Sequence, residues 1–251
     1  MTPLLENKTA LVVGASRGIG LAIARELAHS GASTILASRN LAALKKEAQA
    51  LTAAGHRATA LQWDVSDRDA APLLPDVDIL VNVAGANIRK PFEQYTMDEI
   101  RSIVEINLFG LAAVTHRVGG RMKERGSGGK IIFIGSMMSL LGLPFLTAYA
   151  MSKSALAGLT RSLAAEWGRH NIQVNCIAPG FILTDLNRAM WQAPEMEHWR
   201  AGAQANPRMG TPEDVAPLAT FLSGPGSDYI TGQIIAVDGG YSTTAVWPFE
   251  P

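Results

Sequence analysis

The chain of 251 residues carries 22 basic and 22 acidic side chains, a single cysteine, and 47% hydrophobic residues. A balanced charge favours neither nucleic acid nor an anionic membrane as a partner, and one cysteine permits neither an internal disulfide nor a cysteine-rich metal site. No apolar run approaches the roughly 20 residues that span a bilayer, and the N-terminal stretch shows no secretory signal, so we expect a cytoplasmic protein.

Apolar runs alternate with helical patterns along the whole chain. The sequence predicts strands at 10–14, 33–39, 58–65, 77–85, 130–136, 172–180 and 233–240. It predicts helices at 19–31, 41–55, 97–124 with a break near Asn107, 149–169 and 214–224. Strands joined by helical crossovers run parallel, and their continuous apolar character indicates a sheet covered on both faces. We therefore predict an α/β fold of one domain, residues 1–251, with a doubly wound seven-stranded parallel sheet flanked by helices.

The segment 181–211 has no clear strand pattern and is rich in methionine and tryptophan. It follows the end of a predicted strand, which favours a mobile lid over a site, placed at 183–210. The alternatives are a packed helical hairpin and a contact between subunits.

A glycine-rich turn lies between the first predicted strand and the first predicted helix, with the spacing G-x-x-x-G-x-G. Glycines there permit a tight turn and a close approach of backbone to a pyrophosphate, and the helix N-terminus adds N–H donors and a favourable dipole. The strand before and the helix after satisfy the context that this motif requires. The predicted cofactor-binding residues of the turn are Gly14, Ser16, Arg17, Gly18, Ile19 and Gly20.

The end of the second strand predicts which dinucleotide is bound. A carboxylate there would bond a ribose 2′-hydroxyl, but the chain has Ser38, Arg39 and Asn40 instead. Arg39 and Arg17 suit a 2′-phosphate, because guanidinium groups bind phosphate in a fork geometry. We therefore favour NADP(H) over NAD(H); the alternative is that both arginines are merely solvated.

Two further strand ends are predicted to line the same cofactor. Asp64 and Val65 follow the third strand and would hold the adenine edge, unless Asp64 only starts a surface turn. Asn82, Ala84 and Gly85 follow the fourth strand, where small residues would let the cofactor lie across the strand ends.

Ser136, Tyr149 and Lys153 stand out in an apolar stretch. Tyr149 and Lys153 are four residues apart at a predicted helix start and share a helix face. A nearby ammonium lowers a tyrosine pKa towards the range useful for proton transfer, and Ser136 would bond the same substrate oxygen. The alternative is a surface tyrosine beside a solvated lysine.

Taken in order, these motifs resemble the short-chain dehydrogenase/reductase family over essentially the whole chain. They are the turn at 14–20, Asp64-Val65, N-V-A-G at 82–85, Asn107, Ser136, Y-A-M-S-K at 149–153, Pro179-Gly180 and D-G-G at 238–240. The resemblance implies a Rossmann fold, a nicotinamide cofactor, a small carbonyl or alcohol substrate and a homotetramer.

The resemblance also implies residue roles. Tyr149 would be the acid/base, Ser136 would stabilise the substrate oxygen, and Lys153 would bind nicotinamide ribose hydroxyls and lower the tyrosine pKa. Asn107 would hold a helix kink and a water of the proton relay. The cofactor-binding residues after the sixth strand would be Pro179, Gly180, Ile182 and Thr184.

The chain departs from the family pattern in three places, of which the first two predict altered local hydrogen bonding rather than lost activity. Val13 stands where threonine is usual, and Val83 where the family has a second asparagine. The segment from Asp64 to Asp78 is shorter than usual, so any crossover helix there must be short.

Substrate contacts are predicted at Met138, Phe145 and Trp191, whose apolar surroundings favour a moderately hydrophobic carbonyl compound. Arg89 or Lys90 would meet a carboxylate, unless both are solvated. The nearest resemblance is to gluconate and deoxygluconate dehydrogenases, then to 3-oxoacyl-thioester reductases. Three hypotheses follow: an NADP(H)-dependent oxidoreductase acting on a small ketone or sugar acid, a 3-oxoacyl-thioester reductase, and a non-catalytic cofactor-binding protein.

Overall fold

Seven parallel strands form one sheet in the order β3-β2-β1-β4-β5-β6-β7. The computed structural model describes residues 4–67, 72–185, 187–191, 193, 196, 199, 202–203 and 205–244. The strands are β1 (Thr9–Val13), β2 (Ser33–Ser38), β3 (Ala58–Gln62), β4 (Ile79–Asn82), β5 (Gly129–Ile134), β6 (Ile172–Pro179) and β7 (Ile234–Val237). The predicted seven-stranded parallel α/β fold is thereby confirmed.

Helices cover both faces of this sheet. Those of the described residues are α1 (Gly18–His29), α2 (Leu41–Ala53), α3 (Met97–Val104), α4 (Leu111–Arg125), α5 (Thr147–Trp167), α6 (Arg188–Trp191) and α7 (Pro212–Ser223). One apolar core joins α1, α2 and α7 to the face that carries Val12, and the other joins α4 and α5 to the face that carries Val13. Burial on both faces explains why the strands read as continuous apolar runs.

The predicted elements differ from the structure mainly at strand ends. The strands predicted at 58–65, 77–85 and 233–240 end early, at Gln62, Asn82 and Val237. The chain leaves the ladder there and turns towards the carboxyl edge of the sheet. Between β3 and β4, residues 64–67 and 72–78 form no helix, and Pro72 and Pro75 cannot donate to one.

A π-helical segment, Glu105–Gly110, joins α3 to α4. It coincides with the break predicted near Asn107, and the single wide turn lets Gly110 lie against Val65, whose carbonyl would be 2.6 Å from an added Cβ. Such turns are frequent at functional sites.

Over the described residues, no helix combines the length and apolarity that crossing a bilayer needs. The same residues hold no group of three side chains suited to a metal ion.

A buried amide oxygen in the centre of the sheet, on the strand beside Val13, has no donor among the described residues. Asn82 Nδ2 donates to Thr115 Oγ1 at 2.9 Å, but among the described residues Asn82 Oδ1 has no donor. Val13 is the cross-strand neighbour of Asn82, so its side chain lies on the same face. A hydroxyl at position 13 would have the reach to pair with that oxygen. The unpaired oxygen of Asn82 agrees with the expected change in local hydrogen bonding, which stays a prediction.

We predict that Val13→Thr is at least about 1 kcal/mol less destabilising than Val12→Thr, because only the former hydroxyl finds an unpaired acceptor. Val12 is equally buried but lies on the opposite face beside Val81. There the new hydroxyl stays unpaired and costs about 1–3 kcal/mol. Urea unfolding of both variants measures the difference. Equal losses of unfolding free energy would contradict this account of Asn82.

Candidate active site

The glycine-rich turn after β1 packs directly against the loop after β4. Gly14 has φ +97°, and a Cβ added there would lie 2.6 Å from the backbone nitrogen of Ala84. A Cβ on Gly20 would lie 2.2 Å from the carbonyl oxygen of Gly14. Only glycine fits at either position, so the backbone of the turn forms an open cradle at the N-terminus of α1.

This cradle fits a dinucleotide pyrophosphate. Arg17 precedes α1 in an extended conformation without capping the helix through its side chain, so the first-turn N–H donors remain for an anion. Thr184 approaches from the segment after β6, with its methyl carbon 3.4 Å from a Cβ added to Gly18. The structure thus brings the turn and the predicted Pro179–Thr184 region together, as cofactor binding requires.

The ends of β2 and β3 carry the predicted ribose and adenine residues. The side chain of Asn40 caps α2 by accepting from the Ala43 N–H at 3.1 Å, and Ser38 Oγ accepts from the Asn40 N–H at 3.2 Å. Both polar groups are therefore engaged in the turn itself. Arg39 is exposed and is the one cation of this triplet that can reach out to a phosphate.

Asp64 starts a turn, as the alternative interpretation expects. Its carboxylate accepts from the hydroxyl and the N–H of Ser66 at 2.7 and 3.0 Å. The Ser66 hydroxyl, with a smaller contribution from the charge of Arg39, holds the pKa of Asp64 below its usual value. Arg39 and Asp64 therefore lie on the same edge of the sheet, where an adenosine ribose would sit.

Ser136, Tyr149 and Lys153 converge where β5 ends and α5 begins. The Ser136 hydroxyl is close enough to the Tyr149 hydroxyl to lower the pKa of the tyrosine, and Ser136 Oγ accepts from the Met138 N–H at 3.2 Å. Lys153 is 3% exposed; its Nζ lies 5.6 Å from the centroid of the Tyr149 ring and donates to the Ile134 carbonyl at 2.8 Å. The alternative interpretation, a surface tyrosine beside a solvated lysine, therefore does not fit the structure.

The electrostatics correct one expectation. Burial raises the pKa of Tyr149, and this outweighs the lowering by the Ser136 hydrogen bond and by the charge of Arg89. The expected net lowering of the tyrosine pKa is therefore wrong for this geometry. The Lys153 ammonium bonds the Ile134 carbonyl and lies 5.6 Å from the centroid of the ring, and its own effect on the tyrosine stays a prediction. Burial also lowers the pKa of Lys153 itself to about 8.

Asn107 ties the loop after β4 to α5. Its Nδ2 donates to the Ala86 carbonyl at 2.9 Å and to Ser152 Oγ at 3.0 Å, and its Oδ1 accepts from the Ala86 N–H at 2.7 Å. Ser152 Oγ in turn donates to the Tyr149 carbonyl at 2.7 Å, so Asn107 is connected to the backbone of Tyr149 through Ser152. The amide of Asn107 is thus committed to positioning. The prediction that Asn107 also holds a water of a proton relay remains a prediction.

The predicted substrate side is apolar and aromatic. Met138 and Trp191 are buried, and Tyr149 and Phe181 pack against the cluster that contains Met138. Phe181 makes an edge contact with Trp191 of α6 at 4.9 Å between ring centroids. The predicted lid over 183–210 therefore reaches the site through α6, although residues 186, 192, 194–195, 197–198, 200–201 and 204 lie outside the described part of the chain.

Phe145 is held in an unusual conformation at the mouth of the site. It has φ +65° and is 56% exposed, which is uncommon for a bulky residue. Its carbonyl accepts from the Lys90 N–H at 3.2 Å and from the Tyr95 hydroxyl at 3.4 Å, so the loop before α5 is fastened to the loop after β4.

The two cations of the loop after β4 have different surroundings. Lys90 forms an ion pair with Glu99 at 2.6 Å. Arg89 contacts the Met190 sulfur on α6, and no carboxylate of the described residues pairs with it. Its side chain is exposed, and its charge lowers the pKa of Tyr149, which puts it in the neighbourhood of the reacting centre. The structure therefore separates Arg89, which remains a candidate for substrate binding, from Lys90, which is paired.

Sequence reasoning missed several residues that support this site. Ser152 lies within the Y-A-M-S-K motif but reads as an ordinary helix residue. Ser139, Phe181 and Tyr241 carry no motif of their own, although Phe181 directly follows Pro179-Gly180 and Tyr241 follows D-G-G. Proximity to those motifs is the only signal that could have drawn attention to them.

A parallel sheet with a glycine cradle after its first strand, and a buried lysine beside a tyrosine at the same edge, defines the class of dinucleotide-dependent oxidoreductases. The chain belongs to the short-chain dehydrogenase/reductase family. A family model described as Enoyl-(Acyl carrier protein) reductase matches residues 14–242.

Relatives in this family span the whole chain. Gluconate 5-dehydrogenase of Gluconobacter oxydans (strain 621H) is 35% identical over 248 residues, covering 96% of each chain. A 3-oxoacyl-[acyl-carrier-protein] reductase of Chlamydia trachomatis is 37% identical over 249 residues, covering 96% of this chain and 99% of its own. The crystal structure of a gluconate 5-dehydrogenase from Burkholderia cenocepacia J2315 in complex with NADP and tartrate has a TM-score of 0.91 at 34% identity, covering 97% of this chain and 98% of that one.

Proposed function

We propose that the protein transfers a hydride between NADP(H) and a ketone/secondary-alcohol pair, with Ser136, Tyr149 and Lys153 as the reacting centre. The observation that carries this proposal is the convergence of the three side chains at the edge that also holds the glycine cradle. Membership of the oxidoreductase family supports the same reaction class.

The geometry divides the chemistry among the three residues. Bound NADP(H) supplies or accepts the hydride. In the reducing direction, Tyr149 donates its proton to the substrate oxygen as that oxygen gains negative charge. Ser136 Oγ accepts from the Met138 N–H, which leaves its own proton for the substrate oxygen. The Lys153 ammonium donates one hydrogen bond to the Ile134 carbonyl, and its two other N–H donors remain available for the ribose hydroxyls of the cofactor.

We predict that Tyr149→Phe lowers kcat by at least about 100-fold, because the proton donor is removed while the ring still packs. The control Tyr229→Phe alters a fully exposed tyrosine and should leave kcat unchanged.

The pH dependence of the native protein gives a second prediction. Reduction needs the protonated phenol, and burial raises the pKa of Tyr149. The reduction rate should therefore fall only in alkaline solution, where the oxidation rate should rise. Absorbance of NADPH measures both, and native turnover by Tyr149→Phe would favour the non-catalytic hypothesis.

NADP(H) is the proposed cofactor because Arg39 is the exposed cation beside the ribose position and no acid follows β2. We predict that Arg39→Ala raises the KM for NADPH about 10- to 100-fold and leaves the KM for NADH nearly unchanged, since a charged hydrogen bond contributes about 1.5–3 kcal/mol. The control is Arg57→Ala, just before β3 at the opposite edge of the sheet. Faster turnover of NADH than of NADPH by the native protein would contradict this choice.

A sugar acid is the proposed substrate class, because Arg89 places a positive charge beside Tyr149 without a carboxylate partner among the described residues. The gluconate 5-dehydrogenase relatives support this class. We predict that Arg89→Ala lowers kcat/KM for gluconate about 10- to 100-fold but changes that for the neutral polyol glucitol much less. Arg101→Ala, which removes an exposed arginine paired with Asp98, is the control. Equal losses on both substrates would argue against a carboxylate at Arg89.

A 3-oxoacyl-thioester reductase is the second candidate, favoured by the Chlamydia relative. It requires a basic surface for an acidic carrier protein. Of the basic residues on α4, Arg121 pairs with Asp76 and Arg125 with Asp78, which reduces the charge offered to a carrier. Exclusive turnover of thioesters in the same assays would place this function first.

A homotetramer completes the proposal. Phe109 of the π-helical segment and Met151 of α5 are large apolar side chains that are about half exposed. They lie in the regions around 98–124 and 150–169, whose helices the family resemblance implies as the subunit contacts. Contact with another subunit would remove that surface from water.

A further inference from the structure

A pair of serines fastens the turn that carries Ser136 to the helix that carries Tyr149 and Lys153. Ser139, at the end of the short helix Met137–Ser139, donates its hydroxyl to the Lys153 carbonyl at 2.8 Å. Ser154 of α5 donates in the opposite direction, to the Met138 carbonyl, at 3.0 Å. Neighbouring residues of the two elements thus exchange hydroxyl-to-carbonyl bonds, and we call Ser139 and Ser154 the serine clasp.

The turn side of the serine clasp also holds Ser136. The Met138 N–H donates to Ser136 Oγ at 3.2 Å, and the Ser136 N–H makes a long bond of 3.4 Å to Ser139 Oγ. On the helix side, the serine clasp holds Lys153, one helical turn after Tyr149. The two elements that must keep Ser136 against the tyrosine hydroxyl are therefore joined at the residues next to the reacting groups.

Close packing beneath the turn limits any relaxation of this arrangement. A Cβ added to Gly135 would lie 2.8 Å from Ser139 Oγ and 2.6 Å from the sulfur of buried Cys176. The three-residue helix is too short to fix its own orientation, because regular helices of that length are not stable alone. α5, by contrast, has 21 residues and a buried face of its own, so it does not need these bonds to form.

We infer that the serine clasp positions Ser136 relative to Tyr149, and that Ser139 and Ser154 are positioning residues of the reacting centre. The inference rests on the proposed function, in which those two groups act together on the substrate oxygen. Ser139 contributes more than Ser154, because Ser139 is half-buried whereas Ser154 is exposed and its bond competes with water.

The test compares Ser139→Ala and Ser154→Ala with native protein, in single-turnover reduction with saturating NADPH. Ser139→Ala should lower the rate constant about tenfold, as expected for the loss of roughly 1.4 kcal/mol of transition-state stabilisation, with a smaller loss for Ser154→Ala. The KM for NADPH should not change. Ser139→Thr, which keeps the hydroxyl, should restore most of the rate.

The pH profile separates positioning from simple stabilisation. The Ser136 hydrogen bond lowers the pKa of Tyr149, so loosening it should move the alkaline limb of the reduction rate to higher pH. The other titratable groups around Tyr149 are Lys153, Arg89 and Tyr241; neither substitution removes any of these groups, although Ser139→Ala loses the bond to the backbone carbonyl of Lys153. The control Ser223→Ala removes a buried hydroxyl that bonds the Ala219 carbonyl at 2.7 Å in α7, far from the site. It should lower stability and leave the profile in place.

A native rate and an unshifted alkaline limb in Ser139→Ala would overturn the inference, even if its stability falls as in Ser223→Ala. If Ser139→Ala does not fold, an unchanged rate and profile in the exposed Ser154→Ala variant would overturn it equally. Failure of the proposed function is a different result: there Tyr149→Phe turns over at the native rate, whatever the serine variants do.

Discussion

The burial of the Lys153 ammonium is the constraint on which the site depends. A charge removed from water is costly unless it is paired, and the lowered pKa of about 8 records that cost. Nζ bonds the Ile134 carbonyl at the end of β5, and a Cβ added to Gly85 would lie only 3.7 Å from it. The strand, the loop after β4 and α5 must therefore meet at one point for the lysine to be satisfied. Placing the lysine also places Tyr149, one helical turn earlier on the same face.

The remaining supports of the site are bonds between side chains and backbone across neighbouring elements. Asn107 joins the loop after β4 to Ser152, and Ser152 joins it to the Tyr149 carbonyl. The π-helical turn is what brings the Asn107 side chain to that loop, because a regular helix through 105–110 would rotate it away. None of these bonds uses the hydroxyl of Tyr149, so that group is left for substrate and cofactor.

The fold was predictable because its signals are local. Apolar runs, glycine stops and the strand–turn–helix context of Gly14 all lie within short windows, and the sheet follows from their alternation. Strand ends were predicted too long, since the point at which the chain leaves the ladder is decided by contacts at the carboxyl edge. The reacting centre was predicted from the spacing of Tyr149 and Lys153 and from the other motifs found along the chain. The direction of the Tyr149 pKa shift was not predicted, because it depends on how much protein surrounds the ring. The bonds of Ser139 and Ser152 are tertiary, and nothing in the adjacent letters distinguishes these serines from solvated ones.

The distribution of rigid and variable parts explains how relatives of one family act on gluconate and on 3-oxoacyl thioesters. The groups that act on the carbonyl lie at strand ends and on α5, where buried bonds fix them. The groups that would select the rest of the substrate lie on loops: Arg89 after β4, Phe145 before α5 and Trp191 on α6. The charge of Arg89 is offset by no carboxylate among the described residues, while the wall opposite is aromatic. An apolar wall alone discriminates weakly between substrates, whereas an exposed cation without a carboxylate partner adds a charge-assisted hydrogen bond for a substrate that carries an anion. Selection by charge at one loop residue is therefore the simplest way in which this chain can set its own substrate on a shared reacting centre.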